Sequence, residues 1–180
     1  PMHPARLTIE LLRPVPLAPL RLATALLRPG KKVQLVAASL HAGDVEVARC
    51  TALRIRRADL PLPDGAVLGD CEPPPDPGGA ATVNPGHGAW SPAFHNTATE
   101  HRVVRGSWGV PGPCTDWIRL RVPLFAGETP SPLQRVAAAA DFGNGISGAL
   151  PFGAWRYVNP DLTIHLFREP EGEWIALDGI

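Results

Sequence analysis

Asp141 closes a short apolar-and-alanine run, and a carboxylate placed there can take a proton from a water molecule or simply orient it. The same residue type at the end of a helix also serves only to bond nearby backbone, so its position alone leaves both roles open. His87, His95, His101 and Cys114 include enough ligand types for zinc, but their spacings match no zinc pattern. Linker histidines of this kind are expected in solvent, and no metal is expected. Arg54-Ile55-Arg56-Arg57 could meet the phosphates of a ligand, although a solvated strand end accounts for the same residues. Arg119 and Arg121 share one strand face and can pair with acids or meet a partner. Gly143-Asn144-Gly145 ends a helix rather than opening one, so it is no dinucleotide fingerprint. Ser131 and Ser147 lack the strand–turn–helix context of a nucleophilic elbow.

These residues need elements to position them. Leu7, Ile9 and Leu11 alternate with Thr8 and Glu10, the period of a half-buried strand. Leu20 to Leu27 reads as another, broken by Arg28-Pro29-Gly30. Val33 to Leu40 and Val45 to Ile55 follow, joined through Ala42-Gly43-Asp44 as a hairpin. This first third is an antiparallel meander without a helix, so something else must cover its apolar face. The run Glu72-Pro73-Pro74-Pro75-Asp76-Pro77-Gly78-Gly79 holds neither strand nor helix. A second meander is expected over His101 to Trp108 and Asp116 to Leu124. Ser131, Pro132 and Gln134 then make a capping box and open a helix. Leu133, Val136, Ala137 and Ala140 form its apolar stripe, and Gly143 and Gly145 are expected to stop it. Trp155 to Phe167 and Glu173 to Leu177 supply further strands, with a turn at Asp178-Gly179-Ile180. The resulting division is 1–60, a Pro/Gly-rich linker over 61–100, and 101–180.

Composition narrows the function. In 180 residues, Lys plus Arg and Asp plus Glu stand at 17 each. That balance removes a bulk electrostatic case for nucleic acid or acidic membranes. At 44% hydrophobic, the chain has the makings of a packed core. Lys31 and Lys32 are the only lysines, and the excess of Arg, Ala, Pro and Gly suggests a GC-rich bacterial genome. The three cysteines, Cys50, Cys71 and Cys114, form no close pair and fit a reducing cytosol. No apolar run reaches the roughly 18 residues of a membrane helix, and no signal peptide is read. A cytoplasmic protein is expected.

The run Trp117-Ile118-Arg119-Leu120-Arg121-Val122-Pro123-Leu124, with Ser131-Pro132-Leu133-Gln134-Arg135 and Ala140-Asp141-Phe142-Gly143-Asn144-Gly145, resembles the second half of a bacterial thioesterase family. Val158-Asn159-Pro160-Asp161-Leu162-Thr163-Ile164-His165-Leu166, then Arg168, Glu173 and Trp174, continue the likeness in order. The first third, with Leu12-Arg13-Pro14 and Arg28-Pro29-Gly30, is similar to the preceding repeat. The family is the acyl-CoA thioesterase II-like double hotdog. The resemblance implies an α+β fold, an antiparallel sheet wrapped on a central helix in each of two repeats (1–60 and 101–180). It also implies that both repeats here are short of the family's elements, lacking a strand and the first central helix before Pro1 and strands after Ile180.

The implied activity is hydrolysis of fatty acyl-CoA to free acid and CoA, without cofactor or metal. In the family an Asp, a Thr and a Gln hold the attacking water. Asp141 falls on the Asp position and Asn159 near the Thr position, where an amide can place water but has no hydroxyl proton to give. Thr163 is the alternative should the register differ, and the Gln position lies past Ile180. A homo-oligomer is expected, since a half-exposed sheet associates. The competing reading is a non-catalytic acyl- or CoA-binding or assembly protein. A third, a hotdog hydratase or dehydratase, requires a histidine beside the Asp, and none is visible near Asp141 in the sequence.

Overall fold

Alternation of side chains along extended backbone decides which residues share a sheet face, and the chain uses it twice, in two units. The computed structural model describes residues 1–59, 61–66, 72–83, 92–151, 154–155 and 158–180. The first unit comprises Pro1–Cys71 with Asn159–Arg168, and the second Glu72–Val158 with Glu169–Ile180.

The first unit is a five-stranded antiparallel sheet. Its strands are β1 (Met2–Leu11), β2 (Leu20–Arg28), β3 (Val33–Ala42), β4 (Val45–Arg56) and β8 (Asp161–His165), in the order β2-β3-β4-β1-β8. Gly43, at φ 59°, allows the tight β3–β4 hairpin that the sequence signals. Register then sorts the faces. One row across the sheet carries Leu26, Val36, Ala52, Leu7 and Ile164, and the next carries Thr24, Ala38, Cys50, Ile9 and Leu162. The opposite face carries Ser39, Arg49, Glu10 and Asp161 in one row. Leu7 and Ile164 are buried at 9% exposure, whereas Leu22 and Leu26 near the β2 edge stand at 64% and 52%.

β8 is the unexpected member. The sequence places a strand from Trp155 to Phe167 inside the 101–180 segment, yet the strand runs only from Asp161 to His165 and pairs with β1. Pro160 sets its start, because its ring nitrogen has no proton to offer the ladder; residues 156–157 lie outside the described residues. Backbone bonds Leu11 N–H to Pro160 O (2.8 Å) and Leu166 N–H to Ala5 O (2.9 Å) fasten both its ends.

The second unit holds a four-stranded sheet in the order β5-β6-β7-β9. The strands are β5 (Thr82–Val83), β6 (Thr99–Arg105), β7 (Cys114–Leu120) and β9 (Trp174–Gly179), accompanied by helices α1 (Phe94–Thr97), α2 (Pro132–Ala140) and α3 (Gly143–Ile146). Three of these elements, β5, α1 and the first residues of β6, fall within the stretch 61–100 that the sequence reads as linker, and a 3-10 turn at Pro77–Gly79, capped by Asp76, corrects the expectation that Glu72 to Gly79 holds no helix. The capping box opens α2 as read: Gln134 N–H donates to Ser131 Oγ (3.2 Å), and Ser131 N–H donates to Gln134 Oε1 (2.7 Å).

Three local expectations are corrected. Alternation extends the predicted strand to Leu124, but β7 stops at Leu120 and leaves Val122 and Leu124 exposed; Pro123 cannot add a ladder bond. Gly143 and Gly145 do not end helicity. Asp141 caps α2, and a fresh helical turn at Gly143–Ile146 follows, burying Ile146 to 2% exposure. The expected turn at Asp178-Gly179 is strand instead. Gly179 is required there, since an added Cβ would lie 2.6 Å from the Ser147 Cβ.

Candidate active site

α1 and the C-terminal end of α2 border an open cavity of about 320 Å³, lined by Phe94, His95, Ala137, Ala138, Asp141 and Phe142. Its walls are mostly apolar, and Asp141 and His95 are its titratable groups. The narrow alanine stripe of α2 makes the space, since Ala137 and Ala138 line the cavity while Ala139 is buried at 1% exposure. Asp141 is solvent-exposed at the C-cap of α2, with φ −68° and ψ −15°. His95 is half-buried, and that burial pushes its imidazole below the ordinary histidine value; the neighbouring His101 pushes it the same way. With its titration lowered, the ring is uncharged at neutral pH, so it has one N–H to donate and one nitrogen to accept.

A histidine does therefore share the cavity with Asp141, contrary to the expectation drawn from sequence. The sequence hid it because Asp141 and His95 are far apart along the chain and His95 sits in a segment read as linker.

Beneath α1 lies a polar cluster on the covered face of the sheet. His101 on β6 and Asp116 on β7 are both at 0% exposure, and Thr99 is at 2%. His101 Nδ1 lies 2.6 Å from Asp116 Oδ2, and His101 Nε2 lies 2.8 Å from Thr99 Oγ. The Thr99 hydroxyl donates to the His95 carbonyl oxygen at 2.8 Å, and Trp108 Nε1–H donates to Asp116 Oδ2 at 3.0 Å. With its single proton given to His95, Thr99 must accept from His101 Nε2–H. One further proton then lies between His101 Nδ1 and Asp116 Oδ2, so the pair is neutral as a unit. The expectation of a solvated His101 is corrected: both ring nitrogens are engaged inside the protein. His87 lies outside the described residues, and among the described residues no group of three or more ligating side chains surrounds a common point.

The remaining candidates have structural partners or stand apart. Arg119 donates to Glu100 Oε2 (2.5 Å) and reaches Glu173 (3.5 Å), so it pairs with acids on its own sheet face. Arg119 and Arg102 lie over the Trp174 ring, each 4.7 Å from its centroid. Arg121 follows β7 and is exposed. Burial raises the thiols of Cys50 and Cys114 above the ordinary cysteine value, away from nucleophilic use; Cys71 lies outside the described residues. Asn159, half-buried just ahead of β8, belongs to the first unit, and Asp141 belongs to the second. Thr163 is exposed on β8, opposite Thr8.

The model of the acyl-CoA thioesterase C-terminal domain matches residues 68–179, and that of the acyl-CoA thioesterase N-terminal domain matches residues 1–55. The chain belongs to the acyl-CoA thioesterase family. No curated protein matches it. Among solved structures, a conserved hotdog-fold protein of unknown function from Alicyclobacillus acidocaldarius is 20% identical with a TM-score of 0.65, covering 93% of this chain and 60% of its own. The tesB protein of Mycobacterium avium subspecies paratuberculosis is 13% identical, also at 0.65, covering 98% of this chain and 65% of its own. A candidate thioesterase II from Thermobifida fusca is 20% identical at 0.65, covering 97% and 66%. These likenesses establish the α+β hotdog fold. The thioesterase-family chain thus spans about 60–66% of the length of the structures it resembles.

Proposed function

We propose that this chain hydrolyses fatty acyl-CoA thioesters, with Asp141 as the base that activates water. The observation that carries the reading is an exposed carboxylate at the mouth of an apolar-walled cavity in the segment matched by the thioesterase family. Asp141 would accept a proton from water as its oxygen bonds to the thioester carbon. The carbonyl π electrons move onto oxygen, and collapse of the tetrahedral oxyanion breaks the carbon–sulfur bond. The free acid and CoA thiolate leave, and the thiolate takes up the proton held by Asp141. Phe94 and Phe142 would supply apolar contact for the acyl chain.

Asn159 is assigned to placing the water through its side-chain amide, as the family resemblance implies. A homo-oligomer is also proposed, on the exposed leucines of β2. A bacterial cytoplasm is the proposed setting, supported by the composition and the sparse, odd-numbered cysteines; no described helix is long and apolar enough to cross a membrane.

The test is free-thiol release from a panel of acyl-CoAs by protein of verified mass. Release that is lost in Asp141→Ala supports the assignment, and weaker release by Asn159→Ala supports the second role. Acyl-CoA that stabilises the folded chain against heat without any release points to the binding reading instead.

A further inference from the structure

A buried histidine–carboxylate pair is a poor stabiliser, because desolvation offsets most of its attraction and an apolar pair would serve packing as well. The cluster beneath the cavity even leaves Asp116 Oδ1 buried without a hydrogen-bond partner. Its wiring points to a different use. At one end the Thr99 hydroxyl holds the carbonyl of His95 in α1. At the other the His101 ring stands edge-on to Phe142, with centroids 5.1 Å apart and planes at 80°. Trp108 braces both rings, 5.2 Å from His101 and 6.3 Å from Phe142, while donating to Asp116. Each end of the cluster therefore terminates on a residue that lines the cavity, and Phe142 is covalently next to Asp141.

We propose that Thr99, His101 and Asp116 form a positioning relay that sets His95 and Phe142–Asp141 at the cavity for catalysis. Asp116 fixes the imidazole, and the imidazole fixes both the Thr99 hydroxyl and the Phe142 ring. Thr99 then ties down α1, a helix of four residues with few backbone bonds of its own. None of the three touches substrate. The relay rests on the thioesterase reading of the same cavity and adds residues to it.

Thr99→Val keeps the shape of the side chain and removes the hydroxyl, so it tests the relay without hollowing the core; His101→Gln tests the middle of it. Two readouts are taken on the full chain: kcat and KM for acyl-CoA, and the titration of the His95 imidazole by NMR. Thr99→Val is expected to lower kcat by about tenfold to a hundredfold with KM within about twofold, the mark of misplacement rather than lost binding. Thr99→Ser, which restores the hydroxyl, recovers most of that loss. The His95 titration moves up towards the ordinary histidine range in Thr99→Val, because a released α1 opens the ring to water.

With an active wild type, kcat decides. A folded Thr99→Val protein with wild-type kcat overturns the relay, and so does a loss that Thr99→Ser fails to recover. With a wild type that releases no thiol, the hydrolytic reading falls by itself and the His95 titration decides. An upward shift in Thr99→Val then supports the relay, and an unmoved titration overturns it.

Discussion

The two sheets of this chain solve the same burial problem with different material. The first has an apolar face whose rows read Leu26, Val36, Ala52, Leu7 and Ile164, and its unit contains no helix among the described residues. The second carries α1, α2 and α3, and its covered face includes His101, Asp116 and Thr99. Burial follows the helices rather than the hydrophobicity of the strands. Leu22 on the more apolar sheet is 64% exposed, while the charged-type residues His101 and Asp116 are sealed at 0%. A polar pair survives in such a place only when each member holds the other's hydrogen bonds. Strand composition alone therefore says little about which face is protected.

That contrast can be broken by substitution, and the largest effect is expected at the sealed pair. Asp116→Ala removes one partner and leaves His101 buried, which should cost about 3–5 kcal/mol. The matching change on the first sheet, Glu46→Ala, removes the exposed 2.6 Å bridge to Arg49 and should leave the urea midpoint close to that of wild type. All five tryptophans fall in the second unit's residues, so urea unfolding followed by tryptophan fluorescence reads it. Far-UV circular dichroism follows both sheets. Equal losses at Asp116 and Glu46 would remove the distinction.

Ile118, at 2% exposure, and Leu22, at 64%, pose the same contrast with aliphatic side chains alone. Ile118→Ala should destabilise by about 2–5 kcal/mol, and Leu22→Ala should stay within about 0.5 kcal/mol. A third test concerns close approach. Gly179→Ala drives a Cβ into Ser147 and should cost about 1–3 kcal/mol, read as a lower urea midpoint.

The smallest effect is electrostatic. Glu100 is held below its ordinary value of 4.5, first by the hydrogen bond from Arg119, against the opposing effect of burial. A lowered folded value means that its stabilisation is complete above the ordinary glutamate range and is lost as pH falls through the folded value. Glu100→Gln should therefore be less stable near neutrality and show a flatter fall in stability below pH 4.5, measured by urea titrations across acid pH.

Much of this is legible in the sequence. The alternation of Leu7, Ile9 and Leu11, the Gly43 hairpin and the Ser131–Gln134 capping box all report local geometry, and each forms as read. What escaped depends on contacts distant in sequence. β8 pairs with β1 across more than half the chain, and no local signal carries that choice. Asp141 lines the cavity from the end of a helix stripe that the sequence marks, whereas His95 reaches the same cavity from a four-residue helix in a Pro/Gly-rich region. His101 and Asp116 did leave a trace. They stand in the inward register of strands whose neighbours are Cys114 and Ile118, where two polar residues need each other.

Asp141 is proposed to do the chemistry at the cavity of the second unit. The most direct measurement is kcat and KM for acyl-CoA hydrolysis by wild type and Asp141→Asn, which keeps the shape and removes the base. A fall in kcat of about a hundredfold to ten-thousandfold, with KM little changed, is the predicted result. A folded Asp141→Asn protein that releases CoA at the wild-type rate would contradict it.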